Sequence, residues 1–129
     1  MREVEEWIKK AEADLRIAKK LLELNEETWV IAFHVEQAVE KYLKAFLIKN
    51  NKRFRKTHNI KEILDLCIEI DRDFERLRDI DVEYLTEYAT SIRYPGFYEP
   101  TKDEVLEAIE IAEKVKDFVL KKLKFEEVE

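Results

Sequence analysis

Residues Trp29 to Lys61, WVIAFHVEQAVEKYLKAFLIKNNKRFRKTHNIK, constrain the fold more than any other stretch, because they read as one long helix running into a basic hinge. At about 100° per residue, Ile31, Ala32, Val35, Ala38, Val39, Tyr42, Leu43, Ala45 and Phe46 fill one side as an unbroken apolar arc, which must be buried. Phe33, Leu47 and Ile48 fall among His34, Gln37, Glu40, Lys41 and Lys44 on the other side. A helix apolar over so much of its circumference belongs at the centre of a bundle, touched by several helices or by a second subunit.

The rest of the chain supplies those helices. Val4, Trp7, Ile8, Ala11, Leu15, Ala18, Leu21 and Leu22 recur at three and four residues and predict helix 1 from about Glu3 to Leu24. Asp14 falls immediately before Leu15 and reads as a surface carboxylate beside that stripe. The short link Asn25 to Thr28, with Thr28 as N-cap, favours antiparallel packing of helices 1 and 2. Asn50-Asn51 can end helix 2 near Lys49 in a left-handed conformation. Helix 3, capped by Thr57, His58 or Asn59, carries Ile60, Ile63, Leu64, Cys67 and Ile70. Asp71 to Asp81 reads as a charged loop with a helical turn. Helix 4 presents Val82, Leu85, Tyr88, Ala89 and Ile92 and must stop before Pro95. Thr101 and Glu104 form a T-x-x-E capping box for helix 5, whose stripe runs from Val105 to Leu123, with Phe125 to Glu129 fraying. The expectation is an all-α, up-and-down bundle of four to five helices forming a single domain over residues 1–129.

Composition agrees: 46% apolar and 42% charged residues with one glycine and two prolines make a globular helical chain poor in turns. Heavy Lys and Glu usage is also what high-temperature proteins show. Cys67, the only cysteine, excludes an intramolecular disulfide and a cysteine zinc site, and points to a reducing cytoplasm; its spacing marks it as core packing. MREVEEWIKK lacks a hydrophobic signal region, and no apolar run approaches the roughly 20 residues of a membrane span. The net charge of −6 hides an asymmetry: Lys41 to Lys61 holds eight basic residues and no acid, leaving 16 basic against 30 acidic residues elsewhere. Such a stretch is either a solvated basic loop or an electrostatic seat for phosphate.

No glycine-rich phosphate loop, G-x-S-x-G elbow or H-E-x-x-H is present, and two histidines are too few for a three-histidine metal site. His34, Gln37, Lys41 and Lys44, spaced i, i+3, i+7, i+10, line one edge of helix 2, as a solvated face or as ligand contacts. The glycine and both prolines lie within Pro95-Gly96-Phe97-Tyr98-Glu99-Pro100, so this loop is the irregular element where function tends to sit. Before it, Arg93-Tyr94 offers a guanidinium for phosphate and, with Tyr98, aromatic faces for a base; Arg93 can equally satisfy the last carbonyls of helix 4.

Ala32 to Ala45 (AFHVEQAVEKYLKA) resembles the helix-2 signature of HEPN domains, the higher eukaryote and prokaryote nucleotide-binding family. Ala11-x-x-Asp14-Leu15, Thr57-His58-Asn59-Ile60 and Arg93-Tyr94-Pro95 extend the resemblance from Trp7 to about Leu123, in the small prokaryotic stand-alone type. It implies a helical bundle that dimerises, and a part beside a separately encoded minimal nucleotidyltransferase, sometimes as a toxin–antitoxin pair. Other members are metal-independent ribonucleases with an R-x(4–6)-H motif at the dimer interface. Arg53 and His58 have R-x4-H spacing but lie before helix 3, where the family's motif is not expected; Arg93 lies late in the bundle, yet four residues separate it from Tyr98, not a histidine. Tyrosine, with a pKa near 10, is a poor general base at neutral pH.

Three functions remain open from the sequence. One is a module without a required cofactor that binds ATP or another nucleotide, using His34, Gln37, Lys41, Lys44, Arg93, Tyr94 and Tyr98, beside a nucleotidyltransferase. Another is a ribonuclease acting on RNA through Arg53 and His58. The last is a non-catalytic homodimer whose basic hinge docks an acidic partner.

Overall fold

The recurrence of Val4, Ile8, Ala11, Leu15 and Ala18 builds α1 (Arg2–Glu23), and those five side chains are buried. The computed structural model describes residues 2–91 and 99–124. α1 ends in a Schellman motif: Asn25 takes a left-handed φ of 57°, Glu26 N–H donates to Leu21 O and Asn25 N–H to Leu22 O. The chain then reverses into α2 (Thr28–Lys49). Its N-cap is Glu27 and not Thr28, and no side chain caps it; Thr28 is already the first helical residue. The same device closes α2, where Asn51 is left-handed, Lys52 N–H donates to Leu47 O and Asn51 N–H to Ile48 O. Asparagine tolerates this conformation, so the double-asparagine termination is realised as expected.

α2 is the axis of the bundle, packed along α1 and α6 (Lys102–Leu123) and against α3 (Ile60–Ile70) and α5 (Thr86–Ser91). Thirteen of its residues are buried, including Leu47 on the side where the sequence mixes apolar with polar groups. α3 is capped by Asn59, whose side chain accepts from Glu62 N–H at 3.1 Å. Thr101 and Glu104 form the expected reciprocal capping box of α6.

Between α3 and α5 the charged segment is more ordered than a loop. A 3-10 turn (Arg72–Phe74), the short α4 (Glu75–Arg78) and a second 3-10 turn (Val82–Leu85) follow one another. Asp81, left-handed with φ 64°, separates α4 from the second turn, so helix 4 does not start at Val82: the α-helical part begins at Thr86. Phe74 is fully buried between Phe46, ring centroids 4.4 Å apart, and Phe118 at 4.9 Å, joining α2, this segment and α6. Burying a ring of this size contributes about 1.5–3 kcal/mol. Lys122 of α6 pins the segment from outside through Asp71 and Asp73, at 2.8 and 2.7 Å. Among the described residues there are six α-helices, four of them of three turns or more, and no strand. No helix there is long and apolar enough to cross a membrane.

Candidate functional site

Antiparallel pairing sets Asp14 of α1 beside the edge of α2, where it is buried and not the surface carboxylate its position suggests. Its two oxygens divide the polar edge between them: His34 Nδ1–H donates to Oδ1 at 3.0 Å, and Lys41 Nζ donates to Oδ2 at 2.5 Å. His34 and Lys41 lie two helical turns apart, so one carboxylate fixes both side chains, each about a quarter exposed at 26% and 25%. With Nδ1 occupied, the Nε2 of His34 and two hydrogens of Lys41 remain for other partners.

The next row of α2 turns inward. Glu36 and Glu40, one turn apart, are both buried. Gln37 straps them from outside, Nε2 donating to Glu36 at 2.8 Å and to Glu40 at 3.3 Å. Glu40 also accepts from Lys44 at 3.3 Å and from His58 Nδ1 at 2.9 Å. Glu36 Oε2 is buried and meets no donor among the described residues, and a proton on this carboxyl is what joins it to Glu40. Burial above all, and then the neighbouring Glu40 carboxylate, hold the Glu36 carboxyl well above the ordinary range, so it carries a proton at neutral pH.

Lys44 links this pair to the hinge. Its Nζ donates to Thr57 O at 3.0 Å and lies 5.8 Å from the ring centroids of both Trp7 and Phe54. Those rings meet edge to face at 6.4 Å. Lys44 is therefore an interior pin, with its ammonium committed to protein groups, and Gln37 turns its amide to the carboxyls; the helix-2 edge expected to meet a ligand narrows to His34 and Lys41.

The basic stretch is largely neutralised within the fold. Lys52 pairs with Glu69 at 2.9 Å, Arg55 forks onto Glu62 with two bonds of 2.8 Å, and Lys61 reaches Asp65 at 3.1 Å. Lys49, Arg53 and Lys56 are exposed and without a partner among the described residues. Arg53 and His58 share the hinge, with Arg53 facing water and His58 tied to Glu40. Arg93, Tyr94 and Tyr98 lie outside the described residues.

An open cavity of about 700 Å³ lies alongside this edge, lined by Arg2, Glu3, Glu6, Trp7, Lys10 and Lys41. Among the described residues no group of three or more His, Cys, Asp or Glu can hold a metal ion. Burial pushes the Cys67 thiol up, and its Sγ sits 3.7 Å from Leu43 O, which makes it a packing group.

Sequence reasoning missed Asp14, Glu36, Glu40 and Trp7 as parts of the site. Two signals were there to be used. Trp7, Lys10 and Asp14 form an i, i+3, i+7 row on α1, and Phe33 and Leu47 flank Glu36 and Glu40 on the same face of α2, which marks that face as buried.

The family model for the HEPN domain matches residues 4–123. A Methanocaldococcus jannaschii protein named "Putative toxin MJ1304" is 35% identical over 136 residues, covering 90% of this chain and 88% of that one. Two solved structures share the fold. TT1696 from Thermus thermophilus is 27% identical with a TM-score of 0.77, over 95% of this chain and 99% of that one. ST0689, described as an archaeal HEPN homologue, is 25% identical with a TM-score of 0.71, over 92% and 96%.

Proposed function

The chain belongs to the HEPN domain family, and from that membership we propose that it is a nucleotide- or phosphate-binding helical module acting with a separately encoded minimal nucleotidyltransferase in a toxin–antitoxin-like system. The likeness to a protein named as a toxin supports the biological setting. The observation that carries the binding role is the Asp14 carboxylate held between His34 and Lys41. It spends one hydrogen of each side chain and fixes both at an exposed edge, so a phosphate there meets a preorganised ammonium, and a hydroxyl or amino group of the same ligand can donate to the ring nitrogen of His34. Lys49, Arg53 and Lys56 add a positive field that draws anions toward the same half of the molecule. Arg93, Tyr94 and Tyr98 enter this reading from the sequence alone, as does a homodimer. Calorimetric titration with ATP tests it: Lys41→Ala weakens binding about tenfold, the loss of one charge-assisted bond, while the fold is retained. Equal affinity of a folded Lys41→Ala protein contradicts the assignment.

A second reading, a ribonuclease using Arg53 and His58, is favoured by one contact. The buried Glu40 carboxylate holds His58 Nδ1 and turns Nε2 outward, as a general base requires. Arg53, unpaired, would stabilise charge on the phosphorane. Purified protein is incubated with a transfer RNA pool beside His58→Ala; cleavage that disappears with the substitution supports this reading, and equal cleavage by both proteins removes it.

A further inference from the structure

The open cavity beside the Asp14 edge has a chemistry of its own. α1 places Glu3, Glu6, Trp7 and Lys10 at three- and four-residue intervals along one face, and Lys41 of α2 closes the far side. The indole is held by its neighbours, the Lys44 ammonium 5.8 Å from its ring centroid and the Phe54 ring edge to face with it at 6.4 Å. A held indole presents a flat apolar surface without first losing side-chain entropy. Arg2, Lys10 and Lys41, each with a long aliphatic stem, line the cavity around it, and the Lys41 ammonium is engaged with Asp14. Arg2, Glu3, Glu6 and Lys10 have no ion-pair partner among the described residues. The lining thus offers two unpaired cations, two unpaired carboxylates and the Asp14-bound Lys41 around an indole.

We propose that this groove binds an aromatic base carrying a phosphate, the base stacked on Trp7, its amino group or ribose hydroxyls donating to Glu3 or Glu6, and the phosphate on Lys10, Arg2 and Lys41. The inference rests on the nucleotide-binding reading above and extends it from the Lys41 edge to the whole groove. A fatty acid has no use for the two carboxylates, and inorganic phosphate has no use for the indole. Bases with an exocyclic amino group fit better than uracil, whose single ring-edge donor, N3–H, lies between two carbonyl oxygens that a carboxylate repels. The ligand chemistry is shared by a free nucleotide and by an unpaired RNA segment, whose other phosphates would reach Arg53 and Lys56 beside Phe54.

The chain has two tryptophans, so Trp29→Phe leaves Trp7 as the sole indole reporter. Its emission is followed against AMP, UMP, ribose 5-phosphate, inorganic phosphate and an oligoadenylate octamer, with thermal melts in parallel. The groove predicts quenching by AMP or by the octamer, weaker quenching by UMP, and none by the two base-free phosphates. A response to the octamer alone supports the groove and assigns the ligand to an RNA chain. Lys10→Glu, a surface change that leaves the fold intact, weakens the response about tenfold. Nucleotide that raises the melting temperature but leaves Trp7 emission and the Lys10→Glu affinity unchanged overturns the groove and spares the Lys41 edge. No response of any kind overturns both.

Discussion

Lys44 on α2 donates its ammonium to the Thr57 carbonyl at 3.0 Å while also bonding Glu40 one helical turn back. This single side chain joins the buried carboxyl pair, the aromatic wall of Trp7 and Phe54, and the hinge that carries Arg53 and His58. Lys44→Met keeps the stem and removes the charge, leaving Glu40 without its ammonium partner in the interior. Breaking a buried pair in this way costs about 3–5 kcal/mol. Urea denaturation is expected to show that loss, and trypsin to cut faster at Arg53 and Lys56. An unchanged midpoint would mean that the hinge is held by other contacts.

Glu36 sets a pH dependence of opposite sign to that of most carboxylates. Its folded-state pKa lies above the unfolded value of 4.5, so its contribution is complete below that value and is lost as pH rises toward the folded pKa. Each unit in that window removes up to about 1.4 kcal/mol. Glu36→Gln keeps the shape and the hydrogen bond to Gln37 without a titrating proton. Melts at pH 5.5 and 8.5 are expected to separate the two proteins, the variant losing less on going to the higher pH and being the more stable there. Parallel curves would show that the carboxyl is not protonated in the fold.

Phe74 tests whether the segment after α3 belongs to the core. Phe74→Ala removes the ring that lies between Phe46 and Phe118 and is expected to destabilise by about 3–5 kcal/mol in chemical denaturation. A loss below about 1 kcal/mol would return the segment to the status of a surface loop.

Cys67 is fully buried, and its thiol is pushed up by that burial. A thiol reagent such as Ellman's is therefore expected to label it only as fast as the bundle opens, and at once in denaturant. Immediate labelling of the native protein would contradict the packing.

Periodicity made the helices legible, because Val4, Ile8, Ala11 and Leu15 repeat at a spacing that only a helix brings to one side. The capping box at Thr101 and the left-handed Asn51 were legible for the same reason: each is a local rule satisfied by nearby residues. Glu36, Glu40 and Lys44 were harder. Lys44 balances Glu40 one turn back while Glu36 beside them stays protonated, and sequence spacing alone does not reveal that all three are desolvated together. Asp14 reads as solvent-facing because its partners His34 and Lys41 come from another helix, 20 and 27 residues away. The basic run behaves likewise at Lys41, whose acid lies on α1, and at Lys52 and Arg55, whose acids lie on α3. These longer-range pairs, together with the i,i+4 pairs Lys44–Glu40 and Lys61–Asp65 that spacing does show, turn a stretch that reads as +8 into one with three exposed, unpaired cations among the described residues.

The binding role is tested most directly by a thermal melt of the intact chain with ATP, GTP, CTP and UTP, each with and without magnesium. A nucleotide at about 100 times its dissociation constant adds about 2.7 kcal/mol, several degrees for a domain of this size. The account predicts such a shift for at least one nucleotide and its loss in Lys41→Ala. Melting temperatures that stay the same with all four nucleotides would contradict it.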